Sequence, residues 1–329
     1  MSSKNPVRTA PHYVAADDAT ELGGVDVVKV SEKTSNLWID AWRDLRRRPM
    51  FWISAVLIVF IIFVALAPGL FTAEPPNSHC YLTIDPTRED NPLSGSNAPP
   101  SQGHPLGFTK QGCDIFSRIV HGTSTSLAVG LMASALVASL GIIMGGLAGF
   151  FGGWVDSLLM RLGDIFFAIP YILAAVVVMS VFSAYRSPPI IALAIGAFAW
   201  PSTARILRSE VLRVKQSDFV MASTALGVSR LKTLARHVLP NSIAPLIVVT
   251  TISLAASITA EATLSFLGVG LPPSYMSWGN DISAAQLDLR SNPATLIYPS
   301  IALSVTVLAF IMLGETLREA LDPRARALR

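Results

Sequence analysis

The chain has 329 residues, 51% of them hydrophobic and only 14% charged, where soluble domains carry about 25% charged residues; a soluble globular protein is excluded. Its formal charge of +3 does not signal nucleic acid, because Lys and Arg sort by position relative to long apolar runs, as membrane topology demands. Cys80 and Cys113, the two cysteines, are too few for a disulfide framework and lack metal-site spacing.

Residues 1–36 mix Pro, Gly and charges with no sustained apolar period, which predicts a disordered tail. Residues 37–50 place Leu37, Trp38, Ala41, Trp42 and Leu45 at helical spacing beside Arg43, Arg46, Arg47 and Arg48, the pattern of an interfacial helix. The first apolar run begins at Phe51 with no small-residue cleavage pattern after it, so a removable signal peptide is not expected. Runs of about 20 apolar residues match the hydrocarbon core and predict six spans: 51–71, 125–151, 158–182, 189–207, 242–267 and 295–317. With the first Arg cluster inside, both termini are expected in the cytoplasm. Arg88, Lys110, Arg118, Arg186 and Arg290 then stay outside, and the other Lys and Arg residues collect at the cytoplasmic side. The expected fold is an all-α membrane protein, with an external loop at 72–122 and a five-span core over 123–329.

Gly141, Gly145 and Gly149 recur every four residues in the second span, so helix backbones can approach closely there. Pro170 in the third span and Pro201 in the fourth each remove a backbone donor and can kink their helices. In an oxidising exterior a Cys80–Cys113 bridge would close a long loop, the alternative being two free thiols. Glu261 is an acid inside the fifth span, a functional candidate by default, either paired near the outer gate or in contact with solute. Asp164 and Glu315 sit near cytoplasmic ends and are read as interfacial, and Tyr298 and Trp278 as aromatic-belt or loop-packing residues.

No phosphate loop, H-E-x-x-H or G-x-S-x-G motif occurs, so no catalytic or metal site and no cofactor of its own is expected. Residues 209–240 are too polar to span and too patterned for a linker. Ser217 is placed to cap a short helix with Phe219, Ala222, Ser223 and Leu226 on one face, and Gly227 to end it in a left-handed turn. Ser229 is placed to cap a second, with Leu231, Leu234, Ala235 and Val238 opposite Arg230, Lys232, Arg236 and His237. A protrusion hinged on glycine and anchored by spans on both sides can pass force from a partner into the bundle.

At these residues a resemblance emerges. Residues 219–227 (Phe-Val-Met-Ala-Ser-Thr-Ala-Leu-Gly), followed by His237-Val238-Leu239-Pro240, resemble the E-A-A loop of permease subunits of binding-protein-dependent ABC importers. Segments at 104–107, 149–156, 261–270, 277–279 and 317–324 resemble the C-type subunit of the dipeptide/oligopeptide family, in order, over about residues 46–326. The resemblance implies a type I importer permease with six transmembrane helices. It implies a B-type permease partner, two ATP-binding cassette domains, an external peptide-binding protein and a peptide substrate, with ATP and Mg held by the partner ATPases. Phe219, Ala222, Ser223, Leu226, Gly227, Leu239 and Pro240 then fall in the ATPase-docking loop, with Arg230, Lys232, Arg236 and His237 as contacts. Glu261 and Phe266 become translocation or gate candidates. Met221 stands where the motif usually has Glu, which removes one charge contact. Cys113 stands where the family commonly has Arg, which favours the bridge to Cys80.

Overall fold

A computed structural model describes residues 37–73, 75–76 and 96–321. Among them the regular structure is helical: α1 Leu37–Leu45, α2 Pro49–Leu66, α3 Ile115–Phe151, α4 Gly153–Ala168, α5 Tyr171–Val181, α6 Pro188–Lys215, α7 Asp218–Ala225, α8 Arg230–Thr233, α9 Leu239–Phe266, α10 Trp278–Ala285 and α11 Ala294–Leu321. Five helical stretches are long and apolar enough to cross a membrane, and α4 with α5 make a sixth if the bent pair counts as one span.

The first predicted span ends early, at Leu66, because Pro68 and Gly69 turn the chain through a short 3-10 segment. α2 buries Ser54, Ile58, Ile61 and Val64 at helical spacing and leaves Val56, Val59, Phe60 and Phe63 exposed. Lacking a polar face, it suits a helix against lipid. α1 packs Ala41 and Leu45 onto Ala320 at the end of α11. Arg48 fastens that contact, pairing with Asp44 at 2.8 Å and with Glu319 on α11.

α3 begins ten residues before its predicted start, inside the stretch read as external loop. Asp114 caps it, accepting from the backbone N–H of Phe116 and Ser117. At 37 residues and 1.5 Å per residue it is about 55 Å long, so it extends well beyond an ~30 Å hydrocarbon core. Its glycines lie against α6. A Cβ at Gly145 would collide with the Ala204 carbonyl oxygen, and one at Gly149 would stand 2.8 Å from that of Arg208. The close approach read from the glycine spacing is therefore real, and it fixes the central helix pair.

The third predicted span is not one helix. α4 and α5 meet at Ile169–Pro170 with a 78° bend, since Ile169 takes the extended conformation (ψ 122°) favoured before proline. Pro201 behaves differently and sits within a continuous α6. α4 is only loosely buried, Gly163 being its one enclosed residue among those described. It is tied to α6 by Asp156–Arg208 at 2.5 Å and Asp164–Arg205 at 2.8 Å. Asp164 is thus a partly exposed, ion-paired side chain, and Glu315 is exposed beside Arg318.

Three clusters hold the bundle. One joins α3, α5, α6 and α9 through Val129, Met179, Ile191, Ile195 and Leu264. A second joins α2, α3, α9, α10 and α11 around Ile258, Trp278 and Phe310. A third, Phe150, Leu207, Val211, Val220, Leu234 and Val238, seats the 209–240 segment on the ends of α3 and α6.

Candidate functional site

The 209–240 segment starts from local constraints. α6 runs to Lys215, and Lys215 Nζ donates to the Phe150 carbonyl at the end of α3, 2.5 Å away. Ser217 occupies the N-cap position of α7, but its hydroxyl donates back to the Val214 carbonyl at 2.6 Å. Ser229 likewise holds the N-cap position of α8 without a side-chain cap. Both positions meet the expectation and both capping bonds fail it; at Ser217 the hydroxyl bonds to the preceding turn instead. Gly227 has φ +76°, the left-handed geometry that ends α7, and its Cβ direction is open.

The second helix departs further. α8 is one turn, and Leu234–Val238 form a π turn that runs directly into α9, with the Leu239 N–H bonded to the Leu234 carbonyl. Pro240 explains the widening. It has no N–H for the Arg236 carbonyl and its ring would crowd that oxygen in an α-helix, whereas one wider turn relieves the clash. The protrusion is therefore a single short helix, a glycine corner and a rigid continuation of the fifth span.

The covered face of α7 differs in part from the expected apolar one, whereas Leu234 and Val238 of the second arm are covered together. Val220, Ser223, Thr233, Leu234 and Val238 are buried, with Ser223 and Thr233 hydroxyls 3.3 Å apart between the two arms. Phe219, Met221, Leu226 and Leu231 are 47%, 56%, 83% and 64% exposed. Ala222, Arg230, Lys232, Arg236 and Pro240 are exposed, His237 and Leu239 half-buried. Among the expected docking residues, then, Ser223 faces inward, and Met221 and Leu231 join the outer face. Beneath α7 lies a cavity of about 410 Å³ lined by Phe150, Lys215, Met221, Thr224 and Arg230.

At the opposite end of the bundle a polar cluster is closed. Glu261 is 0% exposed and accepts from Ser126 on α3 at 3.3 Å and Ser265 on α9 at 3.1 Å. Ser126 in turn accepts from the Trp278 backbone N–H at 3.2 Å, and the Trp278 ring nitrogen donates to the Ile119 carbonyl at 3.1 Å. Gly279 presses α10 against α9, so a Cβ there would stand 2.6 Å from Ala262 Cα. Beside it Arg118 meets Asp281 at 2.5 Å. Burial pushes the Asp281 carboxyl up, opposed by the Arg118 guanidinium. Glu261 is thus a buried, hydrogen-bonded acid within a tie among α3, α9 and α10. Phe266, the other gate candidate, is 47% exposed at the end of α9. Trp278 is core, 2% exposed, and Tyr298 is half-buried. Cys113 is buried and disulfide-bonded, while Cys80 lies outside the described residues. Sequence reasoning counted Arg118 only as an external base and missed Asp281, 163 positions away.

Comparison with known proteins closes the question of family. Residues 139–327 match the family described as binding-protein-dependent transport system inner membrane component. Residues 36–100 match the N-terminal TM domain of oligopeptide transport permease C. Glutathione transport system permease proteins GsiD from Escherichia coli O6:K15:H31 and Shigella boydii serotype 4 are each 36% identical over 305 residues, covering 93% of this chain and 96% of theirs. A solved methionine ABC transporter, MetNI in inward-facing conformations, aligns with 62% of this chain and 96% of its own at 18% identity and TM-score 0.49. With this kinship over almost its whole length, the chain belongs to the inner-membrane permease subunits of binding-protein-dependent ABC importers, of the dipeptide/oligopeptide type, and is a transport component rather than an enzyme.

Proposed function

We propose that this chain is the C-type permease half of an ATP-driven importer of short peptides, working with a B-type permease, two ATP-binding cassette subunits that hold ATP and Mg, and an external peptide-binding protein. Peptide cargo is supported by the oligopeptide-permease N-terminal match and by relatives named for glutathione, itself a short peptide. Both termini and the 209–240 segment lie in the cytoplasm on this reading, as the positive-inside distribution favours. Cys113, disulfide-bonded, is assigned Cys80 as its partner across the external loop.

The observation that carries the reading is the outward apolar face of α7. Phe219, Met221 and Leu226 stand exposed on a helix whose other side, Val220, is packed onto α3 and α6. Such a face suits an ATPase groove, with Arg230, Lys232 and Arg236 as rim charges, because an apolar core within a polar rim is how protein interfaces are built. Force on α7 would enter the bundle through Gly227 and the continuous helix from Arg230 to Phe266.

The test is reconstitution of the four membrane and ATPase components in proteoliposomes with the binding protein. Peptide uptake should require ATP, and Leu226→Asp should leave the permease pair intact while uncoupling peptide-stimulated hydrolysis from uptake. Peptide uptake by this chain under an ion gradient without any ATPase would overturn the proposal.

A further inference from the structure

The bend between α4 and α5 opens a cavity of about 280 Å³, and its chemistry differs from the rest of the bundle. It is lined by Phe167, Pro170, Tyr171, Ser202, Ser253 and Ser257 with further apolar side chains and no charged residue. The helix break leaves polar backbone without helical partners. The carbonyls of Phe167, Ala168 and Ile169 receive no backbone donor among the described residues. Unpaired groups of this kind cost several kcal/mol in hydrocarbon and persist only where protein or water meets them.

The hydroxyls on α9 point the same way. Thr251 and Thr259 bond back to the carbonyls of Ile247 and Ala255, at 2.9 and 3.0 Å, the usual means of satisfying a hydroxyl within a spanning helix. Ser253 and Ser257, between them on the cavity side, make no such bond among the described residues. Two hydroxyls of α9, with Phe167 and Ile169 at the helix break lining the same cavity, are left without internal partners, and water suits them.

We propose that this cavity is a water-filled section of the solute path, in which Tyr171, Ser202, Ser253 and Ser257 offer uncharged hydrogen-bonding partners to amide groups of the passing solute. The absence of charge on this lining suits a peptide backbone, whose donors and acceptors recur regardless of side chain, so this section discriminates little among sequences. Its rim toward Arg205 carries the Arg205–Asp164 pair, with the guanidinium 4.2 Å over the Phe167 ring. α4 is held at this rim by the two ion pairs to α6 and by Phe166 packed against Phe198 and Trp200. The inference deepens the importer reading and rests on it for the identity of the solute.

Cysteine accessibility tests it in the assembled complex. Thiols react as thiolates, which form in water and not in hydrocarbon, so Ser253→Cys and Ser202→Cys should be modified by a charged methanethiosulfonate at least roughly tenfold faster than Val59→Cys on the lipid side of α2. Modification of either serine position should stop ATP-dependent peptide uptake, and a peptide-loaded binding protein with ATP should slow the labelling. Two positions are used so that one poorly folding variant leaves the other to decide. Labelling at the Val59→Cys rate, or rapid labelling that leaves uptake unchanged, overturns the proposal even if peptide import is established. Rapid, ATP-sensitive labelling in a complex that imports no peptide would instead refute the peptide reading and support the wet path.

Discussion

The two ends of this bundle treat their polar and apolar groups in opposite ways. At the α10 end Glu261 accepts from Ser126 and Ser265, and beside it Arg118 pairs with Asp281, so α10 is tied onto α3 and α9. At the α7 end the inner face of that helix is seated, while Phe219, Met221, Leu226 and Leu231 are left outside. A closed polar cluster sets conformation within one chain, whereas an uncovered apolar face needs a second one. The α10 end should therefore carry stability and, on the proposed function, the α7 end communication.

Perturbations can break or sharpen that contrast. The largest loss of stability is expected from Gly279→Val. Its Cβ would meet Ala262 Cα at 2.6 Å and Ser265 Cβ at 2.9 Å, so α10 must lift, exposing Trp278 and leaving the Glu261 cluster partly unpaired at a cost of about 3–5 kcal/mol. Thermal unfolding in detergent measures it, and an unchanged midpoint would show that α10 is not the lock.

Arg118→Met comes next, at about 3–5 kcal/mol at neutral pH if Asp281 stays ionised, because it strands a buried carboxylate. The variant also acquires a pH dependence of definite sign. With its cation gone, burial alone acts on Asp281 and holds its folded pKa above the unfolded value. The protonated form is then the stable one, so stability is greatest below the unfolded carboxylate pKa and falls as pH rises through the folded one. Asp281→Asn in the same background should recover much of the loss and flatten the profile. A profile as steep with Asn as with Asp would mean another group is titrating.

Gly227→Val should cost about 1–2 kcal/mol from the left-handed backbone alone, since nothing lies within 4 Å of the added Cβ. Its effect on coupling should exceed its effect on stability, read as ATP hydrolysed per peptide imported. Leu226→Asp is the smallest for stability, within about 0.5 kcal/mol as for other exposed sites, yet it should abolish coupled uptake. If Leu226→Asp instead lowered the melting midpoint as much as Arg118→Met, the contrast between the two ends would collapse.

Several features follow from the residues in isolation. The apolar runs set the number of spans, because hydrocarbon thickness demands a fixed helix length. The glycines of α3 announced a close helix contact, and Gly227 announced a corner, because in each case the missing side chain is itself the physical cause. Local pattern could not say which apolar face of α7 would be covered, since Phe219 and Val220 are both apolar and only the ends of α3 and α6 choose between them. Neither could it pair Arg118 with Asp281, as no periodicity links positions so far apart. Pro170 and Pro201 carry the same chemistry, yet one breaks its span and the other does not. α4 meets α6 through side chains, two ion pairs and Phe166 against Phe198 and Trp200, which tolerate a bend at Ile169–Pro170, whereas α6 is clasped backbone to backbone along α3 and keeps its axis. Backbone chemistry supplied the places where the chain can bend, and tertiary packing decided which bends occur and which surfaces stay open for a partner.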